Sequence, residues 1–394
     1  MIKDVNGESA NLHAKCRGKV SIVSKVPVNT IDDLSLVYTP GVAEPCRRIA
    51  QNPEDVYTYT SKGNMVAVVS DGSAVLGLGN IGAKAAIPVM EGKAILFKEF
   101  AGVDAVSVCL DTQDSKEIIR TVQIIAPNYG GINLEDIASP RCFEIERALK
   151  DLIDIPVFHD DQHGTAICVL AGIMNAAKVV NKALSELVIV INGCGAAGSA
   201  IARMLIAEVS DIRLVDINGI INKNNPKTML NWNHEELANL TNKKNLVGGL
   251  AEAVRGADVF VGVSKPGLLT QDMVRTMAND AIVFAMANPT PEIFPDEAKA
   301  VGAAVVGTGR SDLPNQINNA LVFPGIFKGV LAARVKNITE DLKLAAAKAL
   351  SGYIPADQLS SENILPSVLD KNVADAVAKA VYTAAVGTVN GSHV

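Results

Sequence analysis

The segment "LVIVINGCGAAGSAIARMLIAEVSDIRLVD" (187–216) restricts the possible folds of this chain more than any other. A β-branched run, 187–192, leads straight into the pattern GxGxxG at Gly193, Gly195 and Gly198, and an amphipathic helix opens from the glycines. A second apolar run ends at Asp216, eighteen residues beyond Gly198. Strand, glycine turn, helix and acid-tipped strand form the βαβ unit that binds dinucleotides. Glycine lets the backbone approach a pyrophosphate closely, and the helix amino terminus supplies unpaired N–H groups. Gly193, Cys194, Gly195, Ala196, Ala197 and Gly198 are therefore candidate cofactor contacts, with Asp216 as acceptor for the adenosine ribose. The charge of Asp216 favours NAD over NADP, although Lys223 and Asn218 lie close by and Lys223 can pair with a phosphate.

A second GxGxxG, "GLGNIG" (77–82), lacks this frame. Pro88 comes early in the following segment, and no strand with an acidic end lies at the right distance. A tight loop beside a reactive side chain is the expectation there. Further strands are expected at 65–69, 105–110, 212–216, 259–263, 282–286 and 304–307, alternating with helical patterns. This is the signature of an α/β protein. The 166–184 stretch reads as a long helix buried between two layers, and 371–386 as a helix serving packing or oligomer contact. Alternation is regular from Leu187 onward and less so before about residue 160. The expected organisation is an N-terminal α/β domain, 1–160, and a Rossmann-type doubly wound parallel sheet domain, 161–394, with C-terminal helices.

Composition excludes several classes of partner. A net charge of −6 with no basic block argues against nucleic acid and anionic membranes. No run approaches the apolar length of a membrane helix, and the amino terminus lacks a signal peptide's apolar stretch. The six cysteines are scattered without a CxxC pair, which fits the reducing cytoplasm.

The proposed boundary coincides with "PVFHDDQHGTA" (156–166). His159 and His163 flank Asp160 and Asp161, so a zinc site, an oxygen-rich magnesium or manganese site, and a plain connection are all open. The zinc-protease pattern requires Glu after the first histidine, where this chain has Asp160. Upstream, "INLEDIASP" offers Glu135 and Asp136. Chain reversal at a strand end could bring these carboxylates to Asp160 and Asp161, where a divalent cation would relieve their repulsion. Helix capping is the alternative for each pair.

Taken in order, "VYTPGVAEPC" (37–46), "DGSAVLGLGNIGAKAAIPVMEGKAILFK" (71–98), "INLEDI", "VFHDDQHGTA", "GCGAAG", "ANPTPE" (287–292) and "NQINNALVFPG" (315–325) resemble the malic enzymes over nearly the whole chain, and specifically the short bacterial-type branch. The resemblance implies NAD(P)-dependent, magnesium- or manganese-dependent oxidative decarboxylation of L-malate to pyruvate and CO₂. It implies Tyr38 as general acid, Lys93 as general base, and Asp160 as the carboxylate beside the lysine. Glu135, Asp136 and Asp161 match the metal ligands. Asn288 and Asn319 match the asparagines at nicotinamide and substrate carboxylate, and Asn318 matches a cofactor contact. Ser73-Ala74 stand where larger relatives carry a substrate arginine. A homo-oligomer, at least a dimer, is also implied.

The chemistry needs such groups. A base must take the C2 hydroxyl proton, and a lysine can do so only when neutral. A tyrosine is suited to protonating an enolate. Taken singly, Tyr38 reads as a packed aromatic, Lys93 as a surface lysine and Asn288 as part of an Asn-Pro turn. Two rival functions share the architecture: a metal-free dehydrogenase of the shikimate or methylenetetrahydrofolate type, and a nucleotide sensor without turnover.

Overall fold

The computed structural model describes residues 5–75 and 77–391. Two sheets organise them. The first runs β2-β1-β3-β4, with β1 Met65–Ser70, β2 Asp104–Cys109, β3 Gly131–Leu134 and β4 Val157–His159, all parallel. The second runs β10-β9-β8-β5-β6-β7. Its members are β5 Val188–Asn192, β6 Asp211–Asp216, β7 Gly219–Ile220, β8 Val259–Gly262, β9 Ala281–Ala285 and β10 Ala303–Thr308. Only the short edge strand β7 is antiparallel. The central strands are continuous apolar runs because helices cover both faces of a parallel sheet; Val66 to Val69 are wholly buried.

The predicted strands lie within a residue or two of those observed, but β3 and β4 go unread in the sequence. They are four and three residues long, too short for periodicity to separate them from a loop. Both C-terminal ends carry the acidic segments.

The helix Gly82–Ala101 crosses from β1 to β2. Its buried positions, Ala83, Ala86, Met90, Lys93, Ala94, Phe97 and Ala101, follow the three-and-four spacing of one helical face. Lys93 therefore belongs to the buried stripe.

The helix predicted for 166–184 spans Asp160–Val179 instead, and begins directly after β4. Gly164 conceals this start from a propensity reading. Its absent side chain leaves room for a carboxylate, since a Cβ there would stand 1.8 Å from Asp160 Oδ1. The helix packs against the Ala196–Leu205 helix of the second sheet. One apolar cluster runs through it, joining Val66, Val68 and Phe158 of the first sheet to Ile189, Ile191 and Phe284 of the second.

The Asn372–Gly391 helix buries Val373, Val377 and Val381. It lies against the Phe323–Ala333 helix, where Gly325 and Gly329 allow close backbone approach. By contrast, the helices Val5–Cys16, Ile31–Val37 and Ala43–Gln51 bury no residue. This amino-terminal arm exposes Ile22, Val23, Ile31 and Leu36 by 96, 78, 77 and 75%. Among the described residues no helix is long and apolar enough to cross a membrane.

Candidate active site

Lys93 projects from its helix between the two sheets. Its Nζ lies 2.6 Å from Asp160 Oδ2, 2.8 Å from Glu135 Oε1 and 4.3 Å from the centroid of the Phe323 ring. Phe323 itself packs edge-on against Phe97, one turn beyond Lys93. The amine is thus held on three sides by groups from three segments. Burial alone would lower its pKa, but Asp160 and Glu135 outweigh burial and hold it above the ordinary lysine value. The amine is an ammonium in this arrangement.

Glu135 and Asp136 follow β3, and Asp161 lies in the first turn of the helix after β4. Successive residues of a strand point to opposite faces. Asp136 escapes that alternation through a left-handed backbone, φ +52°. One carboxylate oxygen from each of Glu135, Asp136 and Asp161 lies within 4.8 Å of the others. Burial, followed by repulsion from Asp161, raises Asp136 to about 7. Burial likewise raises Glu135, against the attraction of Lys93. Asp161 resists: only partly buried, it is kept below the usual carboxyl range by the neighbouring His159. Asp136 Oδ2 is buried without a hydrogen-bond partner among the described residues. An all-oxygen set with mutual repulsion and an orphaned acceptor fits a hard divalent cation such as Mg²⁺ or Mn²⁺.

The histidines of "HDDQH" do not form a site together. His159 ends β4, and its Nε2 lies 3.1 Å from Asp161 Oδ2, while Asp136 N donates to the same oxygen at 2.8 Å. His163 turns the opposite way. Its Nε2 bonds both oxygens of Glu146 at 2.9 Å, and Lys343 Nζ donates to its Nδ1 at 3.0 Å. Glu146 also accepts from His159 N and from Gln162 Nε2, each at 3.3 Å. One buried carboxylate thereby fastens the residues on either side of Asp160 and Asp161. Sequence reading missed Glu146; its sole signal is an acid on the otherwise apolar face of the Arg141–Leu152 helix.

In the dinucleotide unit each glycine has its own reason. Gly193, at φ +110°, lies where a Cβ would meet Val263 O at 2.7 Å. At Gly198 a Cβ would meet Gly193 O at 1.8 Å, so the helix could not close on the strand. Gly195 caps the Ala196–Leu205 helix without a side-chain bond, and a Cβ there would enter open space. Open space above unpaired helix N–H groups suits a pyrophosphate. Ala196 and Ala197 form the first helical turn and Cys194 is buried. Asp216 ends β6.

Two family models match the chain: the malic enzyme N-terminal domain over residues 17–118 and the malic enzyme NAD binding domain over residues 162–386. The bifunctional malic/malolactic enzyme of Bacillus subtilis is 53% identical over 382 residues, which cover 97% of this chain and 93% of that protein. The chain belongs to the malic enzyme family. The NAD-dependent malic enzyme of Geobacillus stearothermophilus is 54% identical, with 98% of this chain and 80% of that one covered. Among solved structures, the NAD-dependent malic enzyme of Thermotoga maritima superposes with a TM-score of 0.92 at 46% identity, covering 95% of this chain and 98% of that one. The chain is thus an NAD(P)-dependent oxidoreductase that decarboxylates malate oxidatively. Neither the metal-free dehydrogenase nor the silent sensor has comparable support.

For a malic enzyme the remaining expected residues divide. Asn319 comes to the site: its Cβ would stand 3.1 Å from a Cβ on Gly164, in the helix that carries Asp161. Asn318 serves locally, capping the short Asn319–Leu321 turn through Ala320 N, while its carbonyl accepts from the buried Cys168 thiol. Asn288 lies in the loop after β9, with its carbonyl beside Gly77 of the first glycine pattern. The two loops therefore meet. Glu292, missed in the sequence, anchors this loop by accepting from Ala287 N at 3.0 Å and Ser264 N at 3.2 Å. A Cβ on Gly262 would strike its carboxylate at 2.3 Å, which accounts for the glycine.

Tyr38 is the departure. The resemblance puts an acid at the site, but Tyr38 is 67% exposed on the amino-terminal arm. The described bonds of this residue run through its backbone, to Leu34 and Val42. The substrate-arginine position is filled by Ala74, whose N–H donates to Asp136 O at 2.9 Å. Arg141 reaches the adjoining Ser73 Oγ at 3.0 Å, yet its charge is matched by Asp71 Oδ2, also at 3.0 Å. A cavity of about 800 Å³ lies elsewhere, between residues 19–25 and the β2 edge, and no group of the site lines it.

Proposed function

We propose that this malic enzyme acts on L-malate at one cleft, with Mg²⁺ or Mn²⁺ held by Glu135, Asp136 and Asp161 and NAD on the 193–198 loop. The carrying observation is the meeting of three carboxylates from two segments within 4.8 Å, beside a buried amine. When bound, the cation supplies Lewis acidity at the C2 oxygen and the nicotinamide accepts hydride.

Lys93 takes the C2 hydroxyl proton, for which it must first lose its own to solvent. Two carboxylates and the Phe323 ring hold its charge, and Glu135 is shared with the cation set. With Glu135 engaged there, Lys93 loses one of its two counter-charges and releases its proton more readily. Asp160, which remains, keeps the amine in place. Asn288 and Asn319, on loops of the second sheet, orient nicotinamide and substrate carboxylate. Asp216 favours NAD through its repulsion of a 2′-phosphate.

Tyr38 protonates the enolate, and it does so in a second copy of the chain. Its exposure, and the exposed apolar residues of the arm around it, support an oligomer that buries them. Six unpaired cysteines fit the cytoplasm.

The test is purified protein with malate, Mn²⁺ and either NAD or NADP, followed by nicotinamide absorbance and by pyruvate. Reduction that persists after chelation and dialysis would defeat the metal reading.

A further inference from the structure

Asp211–Asp216 is followed by a helix, Trp232–Leu240, that packs on the helix of the glycine loop. Its second and third residues are polar and almost wholly buried: Asn233 at 1% and His234 at 2% exposure. Nothing in the proposed mechanism uses them, and both lead to one atom, the carbonyl oxygen of Cys194 in the middle of "GCG", His234 directly and Asn233 through Ser199.

His234 Nδ1 accepts from Leu230 N at 3.3 Å, which leaves the ring proton on Nε2. Nε2 lies 3.1 Å from Cys194 O and 3.5 Å from Asp216 Oδ2. A second donor reaches the same carbonyl: Ser199 Oγ at 3.2 Å. The serine is oriented by Asn233 Nδ2 at 2.7 Å, and Asn233 Oδ1 in turn accepts from Arg203 at 2.9 Å. Two donors satisfy both lone pairs of that oxygen.

The peptide plane carries the consequence outward. In a trans peptide the carbonyl and the following N–H point in opposite directions. Holding Cys194 O inward turns Gly195 N–H away from His234 and Ser199, and a Cβ on Gly195 itself would find open space. The same hold keeps a carbonyl dipole from facing an anion. We propose that His234, assisted by Ser199, is a positioning residue for the dinucleotide: it fixes the 194–195 peptide with its N–H toward the pyrophosphate and stands between that peptide and the ribose acceptor Asp216. This rests on the reading that the dinucleotide occupies the 193–198 loop.

The experiment titrates NADH by its own fluorescence, and measures NAD⁺ kinetics, on the full-length protein with Mn²⁺. His234→Ala should weaken NADH binding about tenfold, the worth of one buried hydrogen bond. The KM for NAD⁺ should rise in step, with the loss falling on KM rather than kcat. His234→Gln, which restores an N–H donor, should recover most of the affinity, a rescue that a packing role would not show. Should His234→Ala fail to fold, Ser199→Ala removes the other donor and should weaken NADH in the same direction. Unchanged NADH affinity in the folded variant overturns the proposal. Gly195→Val separates the two readings. If it leaves binding intact, the cofactor lies elsewhere; if it abolishes binding while His234→Ala has no effect, only the role of His234 falls.

Discussion

Lys93 Nζ stands 2.6 Å from Asp160 Oδ2 and 2.8 Å from Glu135 Oε1, so a single amine joins the segment after β3 to the helix after β4. Removing it should silence the chemistry and leave the cofactor. Lys93→Ala is expected to lower kcat for malate oxidation by about 10²–10⁴-fold while NADH still binds. Lys93→Arg should not rescue, because a guanidinium does not give up its proton. Stopped-flow reduction of NAD⁺ checks both, and oxidation at the parent rate in Lys93→Ala would remove this residue as the base.

The cation set makes a graded prediction. Asp161→Asn should abolish tight Mn²⁺ binding, read as free Mn²⁺ by electron paramagnetic resonance. His159→Asn removes no proposed ligand but releases Asp161 Oδ2, which His159 Nε2 contacts at 3.1 Å, and should cost about 10–100-fold in affinity. Equal affinities in parent and both variants would place the ion elsewhere.

Tyr38 on an exposed arm predicts complementation. Tyr38→Phe and Lys93→Ala should each be inactive alone. After mixing, dissociation and reassociation of the two, sites combining intact Tyr38 and intact Lys93 should restore roughly a quarter of parental activity in a symmetric dimer. No recovery, with exchange of subunits verified by mass spectrometry, would return Tyr38 to its own chain's cleft or to no role.

His163 predicts a pH dependence of stability. Burial, and the ammonium of Lys343 at Nδ1, push its pKa down to about 4 against the pull of Glu146. An unfolded chain protonates the same ring at an ordinary value near 6.5. Between those values the unfolded state binds more protons, so stability falls as the pH drops through that window and is retained above it. Calorimetry of chelated protein should show the melting temperature declining from about pH 6.5 toward 4. His163→Gln should lack that component of the decline, and an identical slope in the variant would count against it.

Asp216 predicts cofactor choice. Asp216→Ser removes the charge that opposes a 2′-phosphate and a ribose acceptor together. The ratio of kcat/KM for NAD over NADP should fall by about tenfold or more. A ratio that does not move would assign the discrimination to other residues.

Much of the molecule was legible because its signals are local. The 187–216 unit announces strand, turn, helix and acid within thirty residues, and the central strands are apolar runs that helices must cover on both sides. Other parts are legible only once the chain is folded. β3 and β4 are too short for any period, yet they place Glu135, Asp136 and Asp161. Gly164 reads as a helix breaker, although its function is to clear space for Asp160. Lys93 reads as a surface residue until its spacing with Met90 and Phe97 is seen to be that of a buried face. Glu146, Glu292 and His234 act through partners 13 to 40 residues away in sequence or through backbone atoms, where composition carries no signal. Tyr38 lies 67% exposed on an arm that buries no residue of its own helices, so nothing local marks it as chemical.

The helix Asp160–Val179 begins among the acidic groups and ends deep in the apolar cluster shared by both sheets. The two halves of the chain are consequently not interchangeable modules. A recombination that replaced the nucleotide-binding half at this seam would carry away Asp161, Asp160 from beside Lys93 and the Phe323 ring above that amine in one stroke. Grafting a ready-made nucleotide-binding half that lacks these groups would therefore cost the enzyme its chemistry.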